Sequence, residues 1–498
     1  MNADKQRKIG ILLGYANIAV GALLSIIYTP FLVRRLGPSE HGIYTIAFSV
    51  VGYLNLLGFG LNGSYLRFCS KYMVDGDDDG LARLNGTFVS VNMVIFVLTL
   101  LVGGIIILGA DAFFASSLTP DEIAITKKLL VILVINMAIT FPMSVFSSYI
   151  TAHENFIFLK GITVLRTICS PLAGLMLLLA GYRSFAIVLC TTIINVAVEA
   201  IHALYAIFKL RFKMSLKRKH DGMFKSILGF SAFVFIQSIT DQLNWSVDSI
   251  IIAKIMGSVA TSVYGLASQL NGYVRQFSTI FSSVFAPKAN KLIAQKAGPE
   301  AVTDFYIRVA RLQFLIAVFI LTGFALFGRY FMQIWGGEGY EESYYIAVIL
   351  ILAITPAMFM NLGIEIRRAM NMHRQPAIMT LVTAVINACV TVPLVFLKGG
   401  TGAALGTLAA CIFNSSYMTW YYKKKLGLDM GRFWKQMLLM AVPCLPSFLI
   451  GLGARLLYSV GSIPVFAASI VGYTIVFWGI ALAYAKLRHI PLLKGDGR

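Results

Sequence analysis

Gln237-Ser238-Ile239-Thr240-Asp241-Gln242-Leu243-Asn244-Trp245-Ser246-Val247-Asp248 sets an ordered group of polar residues inside a long apolar run, Met223–Pro287. Gln237, Asp241, Asn244 and Asp248 recur at helical spacing and so share one face of a helix. After Met256-Gly257-Ser258, a second apolar run places Tyr264, Ser268, Asn271 and Arg275 at the same spacing. A charged side chain at the bilayer centre costs about 2.5–3.5 kcal/mol on insertion scales, so such residues face a bundle interior or a watery cavity. Two adjacent apolar helices with aligned polar stripes predict the wall of a polar path through a membrane. The competing reading is that these side chains pair with one another and hold helices together.

The stretch has a counterpart earlier in the chain. Sliding the sequence by 220 positions puts Gly37, Tyr44, Ala47, Gly52 and Tyr53 on Gly257, Tyr264, Ala267, Gly272 and Tyr273. Asn17 then meets Gln237, Arg34 meets Lys254 and Asn55 meets Arg275, which reads as an internal duplication. Pro142 and Pro356 each fall in the fourth span of their own half. The halves are chemically unequal, because Asp241, Asp248 and Arg275 face Gly21, Tyr28 and Asn55.

Composition sets the class. The chain of 498 residues is 58% hydrophobic and only 13% charged, about half the charged content of soluble domains. Its net charge of +20 does not point to nucleic acid, because the basic residues sit in short loops between apolar runs. Fourteen spans are expected, at 9–33, 42–66, 86–110, 128–152, 159–181, 184–208, 223–253, 258–287, 309–334, 343–366, 376–397, 401–422, 433–458 and 462–485. With the N-terminus inside, 32 of the 42 Lys and Arg residues fall in inside segments, so both termini are expected to be cytoplasmic. The six cysteines lie in or beside apolar runs without metal-ligand spacing and read as small buried hydrophobes. Lys5, Arg7 and Lys8 precede a first span too long for a cleaved leader and without a cleavage motif.

These observations predict an all-α integral membrane protein. It has a six-helix lobe at 1–222, a second at 223–426, and two further spans with a cytoplasmic tail at 427–498. An even number of spans separates the copies, so the lobes are expected to be related by a pseudo-twofold axis along the membrane normal. No nucleotide-binding, nucleophile-elbow or zincin motif is present, and no enzyme activity, cofactor or metal site is expected. The acidic group Asp75, Asp77, Asp78 and Asp79 lacks the later bidentate Glu of a calcium loop and reads as a solvated turn.

More polar faces converge on the expected cleft: Thr163, Arg166 and Ser170 in the fifth span, and Thr192, Asn195, Glu199 and His202 in the sixth. The eleventh span adds Thr380, Thr383, Asn387 and Thr391. Arg275 and Arg166 suit an anionic substrate, because guanidinium forks match phosphate oxygens. The register-matched Lys254 and Arg34 complete the cationic set. Asp241, Asp248 and Glu199, with Asn244, Gln237 and Asn271, suit a coupling ion, Na+ or H+. The alternative for each is a paired structural charge, and for Arg166 a position snorkelling at the inner interface.

Tyr28-Thr29-Pro30-Phe31-Leu32-Val33-Arg34-Arg35-Leu36-Gly37-Pro38-Ser39-Glu40-His41-Gly42-Ile43-Tyr44 resembles the signature of bacterial polysaccharide exporters of the Wzx type. Asp248-Ser249-Ile250-Ile251-Ile252-Ala253-Lys254, with Gly257 and Tyr264, is its second-half equivalent. The resemblance covers the whole chain and extends to the superfamily that also holds MurJ and the MATE exporters. It implies alternating-access translocation of undecaprenyl-diphosphate-linked oligosaccharide, a repeat unit of O-antigen, capsule or exopolysaccharide, across the inner membrane. Membrane lipids, a polysaccharide polymerase and glycosyltransferases are the partners it implies. Arg275 stands where relatives place cavity-facing basic residues, and the first span lacks the arginine of the MurJ-like pattern. A MATE-like cation-coupled drug exporter is the rival reading, kept open by Asp241 and Asp248.

Overall fold

A computed structural model of the chain describes residues 3–58, 61–216, 223–370, 372, 374–457 and 461–491; within 223–246, Gln242 alone has a described side chain. Among the described residues the regular elements are helices: α1 (Ala3–Leu54), α2 (Leu61–Asp75), α3 (Asp78–Phe114), α4 (Pro120–Ala152), α5 (Phe156–Leu179), α6 (Ser184–Leu204) and α7 (Met223–Ala294). They continue with α8 (Pro299–Gly336), α9 (Glu341–Met360), α10 (Leu362–Ala369), α11 (Arg374–Lys425), α12 (Met430–Ala441), α13 (Cys444–Leu457) and α14 (Ile463–Leu487).

Eleven stretches of the described residues are long and apolar enough to cross a membrane. Those in α1 and α11 hold two expected spans each, and the one in α7 runs from the end of the seventh through the eighth; the backbone leaves the helix at Gly37 in α1, at Gly257 in α7 and at Lys398–Gly399 in α11. Gly37 and Gly257 have φ of 78° and 86°, a region where a Cβ is strained, so glycine is what permits these sharp turns. The fold is thus the expected all-helical membrane protein. Two expected spans are interrupted. The second breaks at a short 3-10 turn, Asn55–Gly58, before α2. The thirteenth is divided between α12 and α13 at Val442-Pro443, where proline has no N–H to continue the ladder.

The chain forms two compact units, Met1–Ser262 and Val263–Arg498. This division falls later than the 222/223 boundary drawn from the repeat, and the packing shows why. Ala253 of α7 enters a core made by Ile43, Ile46 and Ala47 of α1, Phe114 of α3, and Leu129 and Leu130 of α4. A Cβ built on Gly42 would lie 1.9 Å from the Ser258 carbonyl oxygen, so α1 and α7 touch backbone to backbone there. His41 Nδ1 and Ser262 Oγ lie 2.7 Å apart. Buried Glu40 ties α1 to the start of α6, accepting from Arg183 Nη1 at 2.6 Å, Ser184 N at 2.9 Å and Ser184 Oγ at 2.6 Å.

In the second unit, Tyr306 of α8 stacks on Phe433 of α12 with ring centroids 4.8 Å apart. The spans without a repeat partner pack on α8, with Leu326 and Phe327 against Tyr473 and Phe477. The Tyr473 hydroxyl lies 2.7 Å from Thr322 Oγ1. Both units turn large apolar side chains outward, Leu108 at 77% and Phe396 at 70% exposure, while Asn85, Asn92 and Asn387 are buried. That inside-out pattern suits hydrocarbon as the surrounding solvent.

Candidate functional site

The polar centre of the first unit is built from three helices. Asn136 and Thr140 lie one turn apart on α4, Arg166 lies on α5 and Asn195 on α6. Arg166 Nη1 donates to Asn195 Oδ1 at 2.8 Å. The same amide donates through Nδ2 to Asn136 Oδ1 at 2.8 Å and Thr140 Oγ1 at 3.2 Å. Its oxygen receives the guanidinium and its nitrogen finds two acceptors, so the network orients the amide and Arg166 together. Arg166 is half-buried and tied to α6 directly and to α4 through Asn195. One turn to either side on α6 lie Thr192 and Glu199, both buried. Glu199 Oε2 is 3.5 Å from His202 Nδ1, and His202 Nε2 and Thr192 Oγ1 are buried without a hydrogen-bond partner among the described residues. Asn17 Oδ1 of α1 is in the same condition. Buried polar atoms left without partners are uncommon, and they mark places where water or a hydroxylated ligand can be received.

The other expected residues are distributed differently. Asp248 is buried in the first unit, where its charge is felt at Tyr53 of α1. The side chains of Gln237, Asp241 and Asn244 lie outside the described residues. Lys254 holds the end of α3: its ammonium donates to the Phe113 carbonyl and to Ser116 Oγ at 3.2 Å, and sits 5.1 Å from the Phe113 ring centroid. A cation over orphan carbonyls at a helix C-terminus acts as a capping group. Arg34 is exposed one turn before the Gly37 break. In the second unit Arg275 is exposed on α7 and Asn271 is buried, its Oδ1 without a hydrogen-bond partner among the described residues. On α11, Asn387 and Thr391 are buried and hydrogen-bonded to each other at 3.3 Å.

Sequence reasoning missed Glu122. Thr119 and Glu122 form a capping box at the start of α4, a pattern legible in any sequence. Folding adds two long-range donors, Ser39 Oγ at 2.6 Å and Ser258 Oγ at 2.5 Å. These serines follow closely on Gly37 and Gly257, so one carboxylate joins the two breaks. Burial opposes its ionisation, and hydrogen bonds from Ser258, Ser39 and Thr119 outweigh that, so its pKa lies below the ordinary carboxylate value.

The first unit also contains a cavity of 490 Å³ between α1, α3 and α7, lined by Tyr53, Ile106, Phe113, Phe114, Val247 and Ile250 among others. No charged residue lines it. Among the described residues no group of His, Cys, Asp and Glu side chains has the arrangement of a metal site.

Comparison with known proteins agrees with this architecture. A relative in Shigella flexneri, named "Putative O-antigen transporter", is 23% identical over 439 residues, covering 83% of this chain and 96% of that one. Among solved structures, the lipid II flippase MurJ in an inward closed conformation aligns over 97% of this chain and 99% of its own, with a TM-score of 0.75 at 14% identity. An inward-facing multidrug resistance MATE family transporter of the MOP superfamily covers 87% of this chain and 99% of its own, with a TM-score of 0.65 at 12% identity. The polysaccharide biosynthesis protein family matches residues 9–293, more than half of the chain, and the chain belongs to that family of membrane transporters.

Proposed function

We propose that the protein moves an undecaprenyl-diphosphate-linked oligosaccharide, a repeat unit of O-antigen, capsule or exopolysaccharide, across the bacterial inner membrane by alternating access. The observation that carries this reading is Arg166, an arginine held inside a transmembrane helix group by Asn195. Of its five N–H donors, one is spent on that amide, so the guanidinium can turn others to a phosphate. Arg275 and Arg34 are the further cations proposed for the diphosphate. The amide and hydroxyl groups around Arg166 suit sugar hydroxyls, and the prenyl tail stays in hydrocarbon. Coupling to Na+ or H+ is assigned to Asp241 and Asp248 with Glu199, aided by Gln237, Asn244 and Asn271, because ion binding shifts a conformational equilibrium by its differential affinity. Both termini are placed in the cytoplasm, and a polymerase and glycosyltransferases are the proposed neighbours in the pathway.

The rival is a cation-coupled drug exporter, and buried Asp248 is the observation in its favour. Deleting the gene separates the two. Lipid-linked oligosaccharide accumulating on the cytoplasmic face, with unchanged susceptibility to cationic drugs, is the expected result. Drug sensitivity without accumulation assigns the exporter role. Arg275→Ala at normal membrane abundance is expected to lower surface polysaccharide, and undiminished export removes Arg275 from the substrate site.

A further inference from the structure

A second group of arginines lies away from the proposed path, where α12 meets the beginning of α8. Asp304, Arg308 and Arg311 follow one another on one face of α8, and Arg432 and Gln436 are one turn apart on α12. Arg432 Nη1 is 2.7 Å from Asp304 Oδ1, and Arg311 Nη2 donates to Gln436 Oε1 at 2.8 Å. Arg308 and Arg432 are each close enough to Arg311 for their charges to act on it. Asp304 is the carboxylate paired within the group, since Asp429 accepts the Arg432 backbone N–H at 2.9 Å as the cap of α12. Asp429 N in turn donates to Thr303 Oγ1 at 3.2 Å, which pins the first turn of α12 to α8 and fixes where Arg432 can reach. Arg311 Nε is buried and has no hydrogen-bond partner among the described residues. Arg311 and Arg432 bring two guanidinium charges to Asp304, the direct partner of Arg311 is a neutral amide, and an anion would complete the pair.

We infer that Arg308, Arg311 and Arg432 form a binding site for the phosphate of an anionic phospholipid. A tetrahedral phosphate offers several acceptor oxygens to converging guanidinia. The surroundings select a lipid over a soluble anion. Leu438, the next turn of α12 beyond Arg432 and Lys435, is 70% exposed, and Leu445 and Leu449 on α13 are 62% and 55% exposed. An acyl chain can run along these residues while its headgroup stays at the arginines. The basic-residue asymmetry places this end of α8 inside, where basic pockets between transmembrane helices bind anionic headgroups. The site lies where α12, part of the first of the two spans without a repeat partner, meets α8. It is independent of the cargo.

The test uses the purified full-length protein in detergent with phosphatidylglycerol, phosphatidylcholine or inorganic pyrophosphate added. Bound lipid is counted by native mass spectrometry, and the melting temperature is followed in parallel. Wild type is expected to retain phosphatidylglycerol in preference to phosphatidylcholine. R432Q, at an exposed position where folding is undisturbed, is expected to lose about fivefold of that preference, and R311Q a similar factor. R311K, which keeps the charge, and K423Q, in a basic run elsewhere, are expected to keep most of it. Undiminished preference in R432Q and R311Q overturns the site. Stabilisation by pyrophosphate equal to that by phosphatidylglycerol overturns the lipid as ligand, whatever the transported substrate is.

Discussion

Gly37 and Gly257 stand at equivalent places in the two halves of the repeat and share one backbone conformation, φ 78° and ψ 168° in the first, φ 86° and ψ −168° in the second. Glu122 and Glu342 keep the same 220-residue offset, and both are first-turn carboxylates that accept from a hydroxyl in another element. Glu342 Oε1 receives Thr401 Oγ1 at 2.9 Å. The duplication read from scattered identities is therefore repeated in backbone angle and in the placement of a hydroxyl-bonded carboxylate in the first turn of a helix. It is the backbone break that joins the first two spans of each half.

Gly37→Ala and Gly257→Ala are each expected to destabilise the protein by about 1–3 kcal/mol, because a Cβ is strained at these angles. Gly272, whose added Cβ meets nothing within 4 Å, is the control. Melting temperatures of the purified variants decide the matter, and equal values for all three remove the breaks as strained positions. Gly42→Ala should be worse than Gly272→Ala, since its Cβ meets the Ser258 carbonyl.

Acid dependence is the signature of Glu122. A carboxylate whose folded pKa is depressed contributes stability above its unfolded value, and that stability is lost as pH falls through the folded value. Hydrogen bonds from Ser258, Ser39 and Thr119 put Glu122 in this class. Glu122→Gln should lower the melting temperature at neutral pH and flatten its fall below about pH 4. Identical acid profiles for wild type and variant would show that the carboxylate is not what joins Ser39 to Ser258.

Arg166 and Asn195 act as a pair. Arg166→Ala should reduce polysaccharide export at least about tenfold at normal abundance, as expected when a hydrogen-bonded charge is removed. Arg166→Lys should recover only part, because an ammonium cannot donate both to Asn195 and as a fork. Asn195→Ala, which leaves the charge but releases it, should have an intermediate effect. Full export in Arg166→Ala sinks the assignment.

His202 and Glu199 are buried beside each other, so removing one partner exposes the other's cost. His202→Phe should destabilise the protein by about 3 kcal/mol by leaving a buried carboxylate unpaired. Adding Glu199→Gln should restore most of that loss. A double variant as unstable as His202→Phe alone would mean that the two side chains are uncoupled.

Lys254→Met is expected to lower the melting temperature and leave export at wild-type level, the outcome for a group that caps α3. Lost export at unchanged stability would return Lys254 to the cationic path.

Membrane class, span positions and the repeat were legible because each is a matter of local composition and spacing: about twenty apolar residues span hydrocarbon, whatever packs beside them. The aligned positions of Arg166 on α5 and of Asn195 and Glu199 on α6 were likewise periodic. Gly37 and Gly257 were visible as aligned glycines. What they do became clear only from the angle they adopt. The Thr119–Glu122 box could be read locally, but the carboxylate's grip on Ser39 and Ser258 joins residues far apart in sequence. The same holds for Lys254 over the end of α3, for Asn195 between Arg166 and Asn136, and for Arg311 against Gln436. The sequence by itself determined which segments enter the membrane and which faces are polar, since transfer from water to hydrocarbon is a property of the segment. Only the tertiary structure decided which polar groups satisfy one another, because a hydrogen bond inside a membrane depends on what a neighbouring helix brings within 3 Å.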